Sequence, residues 1–207
     1  MPYSSFTVSQ VEETFNVSFQ QGKIFDVIEK ISISERLNYS LQDAKLFYLD
    51  NEKIKSEAVL FPVMAELMRR NSEYISIFSG KRLDVEPNTN LVGECDFLIT
   101  AIPHLVRVKA PIIFVIEAKS DNIDYGLAQC SAQMLGTRKF NELEKEFVNP
   151  IYGCITTADA WQFVKLEKNI ITLHNEKYYL NDLPEILGIF QYIINKNKKK
   201  LKNQLNT

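Results

Sequence analysis

At 207 residues, with 45% hydrophobic and 24% charged side chains, the chain has the balance of a globular domain with one well-buried core, which excludes a disordered or fibrous protein. A formal net charge of −2 argues against the strongly basic body of a tight nonspecific DNA binder. Three scattered cysteines, Cys95, Cys130 and Cys154, form no CxxC pair and read as reduced core side chains, while His104 and His174 are too few for a histidine metal cluster.

In chain order, Ser9 ahead of Val11, Glu12 and Glu13 reads as a helix start, and Gly22 punctuates the chain after it. Residues 34–51 read as a helix-bearing connection. A stronger helix is predicted from Ser56, where Leu60, Val63, Met64, Leu67 and Met68 recur at helical spacing, with Pro62 an awkward residue inside it. Two strand-like stretches come next, Ile75 to Phe78 and Leu91 to Thr100, with a Pro87-Asn88 turn between them. Ile112 to Ala118, introduced by Pro111, is a nearly continuous apolar run of the kind found in a central strand covered on both faces. Gly126 to Lys139 reads as a helix, Ile151 to Thr156 as a strand, and Phe163 to Leu166 with Ile170 to Leu173 as a hairpin turning at Lys168-Asn169. A last helix begins near Asp182, and Lys196, Lys198, Lys199, Lys200 and Lys202 read as a solvated, frayed tail. No stretch approaches the roughly 20 apolar residues that cross a bilayer, and no basic segment leads into an apolar run at the amino terminus. The expectation is a cytoplasmic α/β domain without membrane contact.

The chemistry concentrates at one strand end. Glu117 and Lys119 are two positions apart in a strand and therefore project from the same face. Buried unpaired they would be costly, so they need a partner, an ion or water. Asp96 lies in the preceding strand, and if the two strands are antiparallel neighbours its carboxylate meets that of Glu117. Two adjoining carboxylates repel unless a divalent cation neutralises them, and all-oxygen ligation suits Mg2+ or Mn2+. Lys119 would then stabilise charge on an attacked phosphate or position a water.

Asp96 followed by Glu117-Ala118-Lys119, in the order helix, strand pair, helix, strand, resembles the PD-(D/E)XK nuclease superfamily over positions 56–160. Within it, Ser56 to Arg70, Gly93 to Ile99 and Glu117 to Met134 look like a group common in cyanobacteria. The resemblance implies a restriction-endonuclease-like core, a mixed central β-sheet flanked by helices, with residues 1–55 as an accessory segment, 161–195 as a C-terminal hairpin and helix, and 196–207 as a basic tail of a single domain. It implies a Mg2+- or Mn2+-dependent nuclease acting on nucleic acid, DNA in the first place; the alternative is a catalytically silent binding or regulatory module on the same fold. It also calls for a helical glutamate as third metal ligand beside Asp96 and Glu117. Glu57 and Glu66 are the candidates, on roughly opposite sides of their helix, and Glu57 matches the family's placement better. Related nucleases carry a glutamine beside the site, which points to Gln133, four residues after Gln129 on one helix face; plain surface glutamines are the competing reading. Asp121 and Asp124 read as turn formers, and Glu94 shares the strand face of Asp96. A homodimer is an expectation by analogy alone.

Overall fold

The computed structural model describes residues 2–85, 91–119 and 123–205, and of 123–125 and 199–205 the backbone alone. After a short turn at Tyr3–Ser5 comes α1 (Val8–Phe15). Its cap is Thr7 rather than Ser9, because Thr7 and Gln10 bond reciprocally to each other's backbone N–H. Next in the chain are β1 (Ser18–Gly22) and α2 (Glu35–Ala44), the latter capped by Ser34. The next helical stretch starts four residues before Ser56: α3 (Glu52–Lys55) passes through a π-turn (Ser56–Leu60) into α4 (Phe61–Asn71). Pro62 sits in the first turn of α4, where a missing N–H costs little. The wide turn just before it absorbs the irregularity.

The strands are β2 (Ser76–Arg82), β3 (Glu94–Thr100), β4 (Ile112–Ala118), β5 (Ile151–Thr156), β6 (Ala160–Glu167), β7 (Ile170–His174) and the two-residue β8 (Tyr178–Tyr179). Between β4 and β5 runs α5 (Ile123–Leu143), longer at both ends than its apolar periodicity predicts, and α6 (Leu183–Leu205) closes the chain. The expected Pro87-Asn88 turn lies outside the described residues. At the β6–β7 turn Lys168 takes a left-handed conformation, φ 53°.

Together the strands form one mixed eight-stranded sheet in the order β1-β7-β6-β5-β4-β3-β2, with β8 paired to β6. The β4–β5 and β1–β7 pairs are parallel and the rest antiparallel. Helices cover both faces. One face packs against α5, α1 and the N-terminal turn, in a core that includes Leu98, Val115, Cys130, Met134 and Ile155. The other packs against α2, α4 and α6 through Phe97, Phe114, Ile116, Phe163 and Phe190. Every residue of β4 and β5 is buried, as a doubly covered centre requires. The three cysteines are free and buried. No helix among the described residues is long and apolar enough to cross a membrane. The basic C-terminal stretch does not fray at residue 196, since α6 runs through it. Lys196 Nζ reaches Tyr152 Oη at 3.3 Å, and Lys198 Nζ bonds Asn71 Oδ1 and lies 3.8 Å above the Tyr74 ring.

Candidate active site

The antiparallel register of β3 and β4 pairs Phe97 with Ile116, which sets Asp96 opposite Glu117 on the face covered by α5. Pairing turns two acids twenty-one residues apart in sequence into neighbours at one sheet end. Asp96 Oδ2 accepts the Ala118 N–H at 2.7 Å, tying the carboxylate to the end of β4. Glu117 is 2% exposed. Its Oε1 accepts from Lys119 Nζ at 2.7 Å and its Oε2 from Gln133 Nε2 at 2.6 Å. The same ammonium donates to Gln129 Oε1 at 2.9 Å, and the Gln133 amide also donates to the Glu94 carbonyl at 3.2 Å. Lys119 continues the β4–β5 ladder through its N–H to Thr156 O.

Gln133 is fully buried, not a surface glutamine, and its Oε1 has no hydrogen-bond partner in the structure. Rotating the amide would not help, because both groups it now donates to are acceptors. A buried acceptor beside the carboxylates is a place where a donor such as water would be welcome.

The electrostatics record a shortage of positive charge. Burial above all, and then the charge of Asp96, push Glu117 up to about 7 against the opposing pull of Lys119 and Gln133. Burial also raises Asp96; the Ala118 N–H and Lys119 oppose it, while Glu52 and Glu94 add to it. Lys119 loses something to burial, but Glu117, Glu52 and Asp96 outweigh that and raise its pKa, so it remains an ammonium. Cys95 and Cys130 are held far from thiolate, first by burial and then by Glu117.

Neither helical glutamate singled out in the sequence takes part in this network. Glu57 is exposed. Glu66 is 2% exposed rather than solvated, bonded to Arg69 at 2.8 Å, Arg70 at 2.6 Å and the Ser34 hydroxyl at 2.7 Å. It fastens α4 to the cap of α2. The helical acid whose charge acts on both Asp96 and Lys119 is Glu52, in the first turn of α3. Its sequence signal was Asn51-Glu52, a capping residue with a first-turn acid behind it; Asn51 Oδ1 does accept the Ile54 N–H. Glu94 is exposed and contributes charge and a carbonyl. Asp121 and the Asp124 side chain lie outside the described residues. His174 is structural: its Nδ1 accepts the Ile24 N–H at 3.0 Å, and burial lowers its pKa.

Among the described residues no group of three or more His, Cys, Asp or Glu side chains is gathered closely enough to hold a metal ion. Asp96 and Glu117 are two carboxylates of the oxygen-donor type that hard divalent cations take, and the proton affinity of both is raised. No family model matches the chain, and no curated protein matches it.

Proposed function

We propose that the protein is a divalent-metal-dependent nuclease of the PD-(D/E)XK kind, with a restriction-endonuclease-like core and DNA as its expected substrate. The observation that carries this reading is the register that sets Asp96 against Glu117 with the Lys119 ammonium bonded to the latter. Bound by Asp96 and Glu117, Mg2+ or Mn2+ would supply Lewis-acid polarisation of a phosphodiester and a more acidic water. The chain's own residues prepare the place. Lys119 stays cationic and offers its charge where a phosphate gathers negative charge in the transition state. Gln129 and Gln133 fix the lysine and Glu117 in one geometry, which limits the reorganisation left for the reaction itself. Glu52, not Glu57, is the helical acid in this scheme, since its charge acts on both Asp96 and Lys119.

Incubating the purified chain with plasmid, linear duplex and single-stranded DNA in manganese tests the proposal. Expected is cleavage that disappears with chelator and in folded Lys119→Ala. Undiminished cleavage by folded Lys119→Ala would remove Lys119 from the scheme, and no cleavage of any substrate by the wild type would favour a second reading. That reading is a binding or regulatory module without turnover, and a specific feature supports it: both oxygens of Glu117 are already engaged by protein groups.

A further inference from the structure

The direction of each strand assigns every loop to one end of the sheet. Asp96 and Glu117 sit at the end where β4 finishes and β3 begins. The opposite end gathers the β3–β4 connection, the β6–β7 turn, the end of α4 and the C-terminal half of α6. Cations collect there. Lys165, opposite Tyr152 in the register, is paired with Glu167 at 2.9 Å, and Lys168 and Lys196 act on the same carboxylate. Lys196 also reaches Tyr152, and two residues further along α6 Lys198 covers Tyr74. Two residues after Tyr74, buried Ser76 accepts the Leu105 N–H through its Oγ at 3.0 Å, which ties the start of β2 to the connection that carries exposed Arg107 and Lys109. Contacts thus gather Lys165, Lys168, Lys196 and Lys198 at one end of the molecule, and the direction of β3 and β4 brings the connection that carries Arg107 and Lys109 to that same end. Arg138, whose guanidinium donates to the Lys168 carbonyl, and Glu142 and Glu146, which line one cavity with Lys168, lie at the same end; with Glu73 and Glu167 these residues set seven cations against four acids, an excess of three positive charges in a chain whose formal net charge is −2. The rest of the chain, with the candidate site, is correspondingly acidic.

We propose that this basic end is a docking surface for a nucleic-acid backbone, separate from the catalytic end. The class of partner rests on the function proposed above. Charge complementarity supports it, because each phosphate contact releases condensed counterions, whereas the acidic site end repels a polyanion. The length of β4 sets the separation at about 20 Å, which corresponds to roughly six base pairs of duplex. A strand anchored at the basic end therefore presents for cleavage a phosphodiester several nucleotides away, or one on a second nucleic-acid segment.

The test is binding of labelled duplex DNA and labelled RNA by the full-length chain in chelator, across roughly 50 to 200 mM salt. In the triple variant R107Q/K109Q/K168Q affinity for both should fall by about tenfold at low salt, and the slope of log K against log salt by about 0.9 for each phosphate no longer neutralised. The charge-matched variant K23Q/K30Q/K81Q, at the other end, should bind as the wild type does. These side chains are exposed, and an unchanged melting temperature certifies the fold. Equal affinity of the two triple variants overturns the proposal, as does binding confined to anionic phosphatidylserine vesicles or salt-sensitive self-association without nucleic-acid binding. The two readings fail separately. Variant-sensitive binding by a protein that never cleaves leaves the docking surface standing and removes the nuclease; cleavage with variant-insensitive binding does the reverse.

Discussion

Glu117 is the residue whose chemistry is most displaced from the ordinary. A carboxyl titrating near 7 in the fold but near 4.5 in the unfolded chain favours the folded state only while protonated. There is accordingly no penalty below about pH 4.5, a growing one from there to 7, and a full one of about 3 kcal/mol above 7. His174 works the other way. Its lowered pKa costs stability as pH falls below its unfolded value, so its contribution rises with pH in part of the same window. The difference between wild type and Glu117→Gln isolates the acid. In chelator, wild-type melting temperature should fall relative to Glu117→Gln between pH 5 and 8, and a constant offset between the two across that range would show that Glu117 is not held protonated by its surroundings. Gln133 belongs to the same scale. Its bond to Glu117 Oε2 was open to the sequence only as one of two readings, because helical spacing puts Gln129 and Gln133 on one face without saying which face is buried.

At the scale of elements, β4 and β5 were read with their observed limits, since a doubly covered strand writes itself as an unbroken apolar run. The antiparallel register that places Asp96 beside Glu117 was only a condition in the sequence; backbone pairing across eleven intervening residues supplies it in the structure. The sequence pattern draws attention to Glu57 and Glu66 and away from Glu52 for a physical reason. Apolar periodicity strong from Leu60 onward hides the short, polar first turn of α3, and burial of Glu66 comes from Arg69, Arg70 and Ser34 rather than from the pattern of its own helix. Burial raises the Glu66 pKa, but the hydrogen bonds from Ser34, Arg69 and Arg70 outweigh it and hold it below the usual range. Three single substitutions therefore part ways. Glu66→Leu leaves the Ser34 hydroxyl without its acceptor and two arginines unpaired, and should cost about 2 to 4 kcal/mol in urea unfolding with no change in metal response. Glu57→Gln, at an exposed position, should stay within about 0.5 kcal/mol of wild type in both respects. Glu52→Gln should leave stability nearly as it was while lowering the response to manganese; a full manganese response in Glu52→Gln would return the helical acid to Glu57. Gly126 is bound to the same architecture, for a Cβ there would lie 2.4 Å from Ile155 Cγ2 and 3.3 Å from Lys119 Cγ. Gly126→Ala should thus lower the melting temperature, because buried Ile155 must shift to admit the methyl, and should also lower the kcat of any Lys119-dependent cleavage by the folded variant.

For the molecule as a whole, the acid cluster is either a cost the apo fold carries for the sake of a ligand or an arrangement with no ligand to receive. Asp96 raises the pKa of Glu117, and Glu52 and Glu94 raise that of Asp96, so removal of the Asp96 charge relieves repulsion in the metal-free protein. Against that stand the lost attraction to Lys119 and one weakened acceptor, for the Ala118 N–H at 2.7 Å, a bond that an asparagine oxygen can still accept. Asp96→Asn should on balance melt higher than wild type in chelator. Metal linkage acts in the opposite sense, because an ion that binds only the folded chain adds about 2.7 kcal/mol when present at a hundredfold excess over its dissociation constant. For a domain of this length that is a rise of about 5 to 10 °C in melting temperature. Wild type should show this rise in millimolar manganese, and Asp96→Asn only a fraction of it, so that the order of the two melting temperatures reverses on adding metal. A solvated acid without a ligand role produces neither the higher apo melt nor the reversal. Should the manganese-induced rise be equal in the two proteins, Asp96 is no ligand, and the pairing across β3 and β4 is a structural contact rather than the core of an active site.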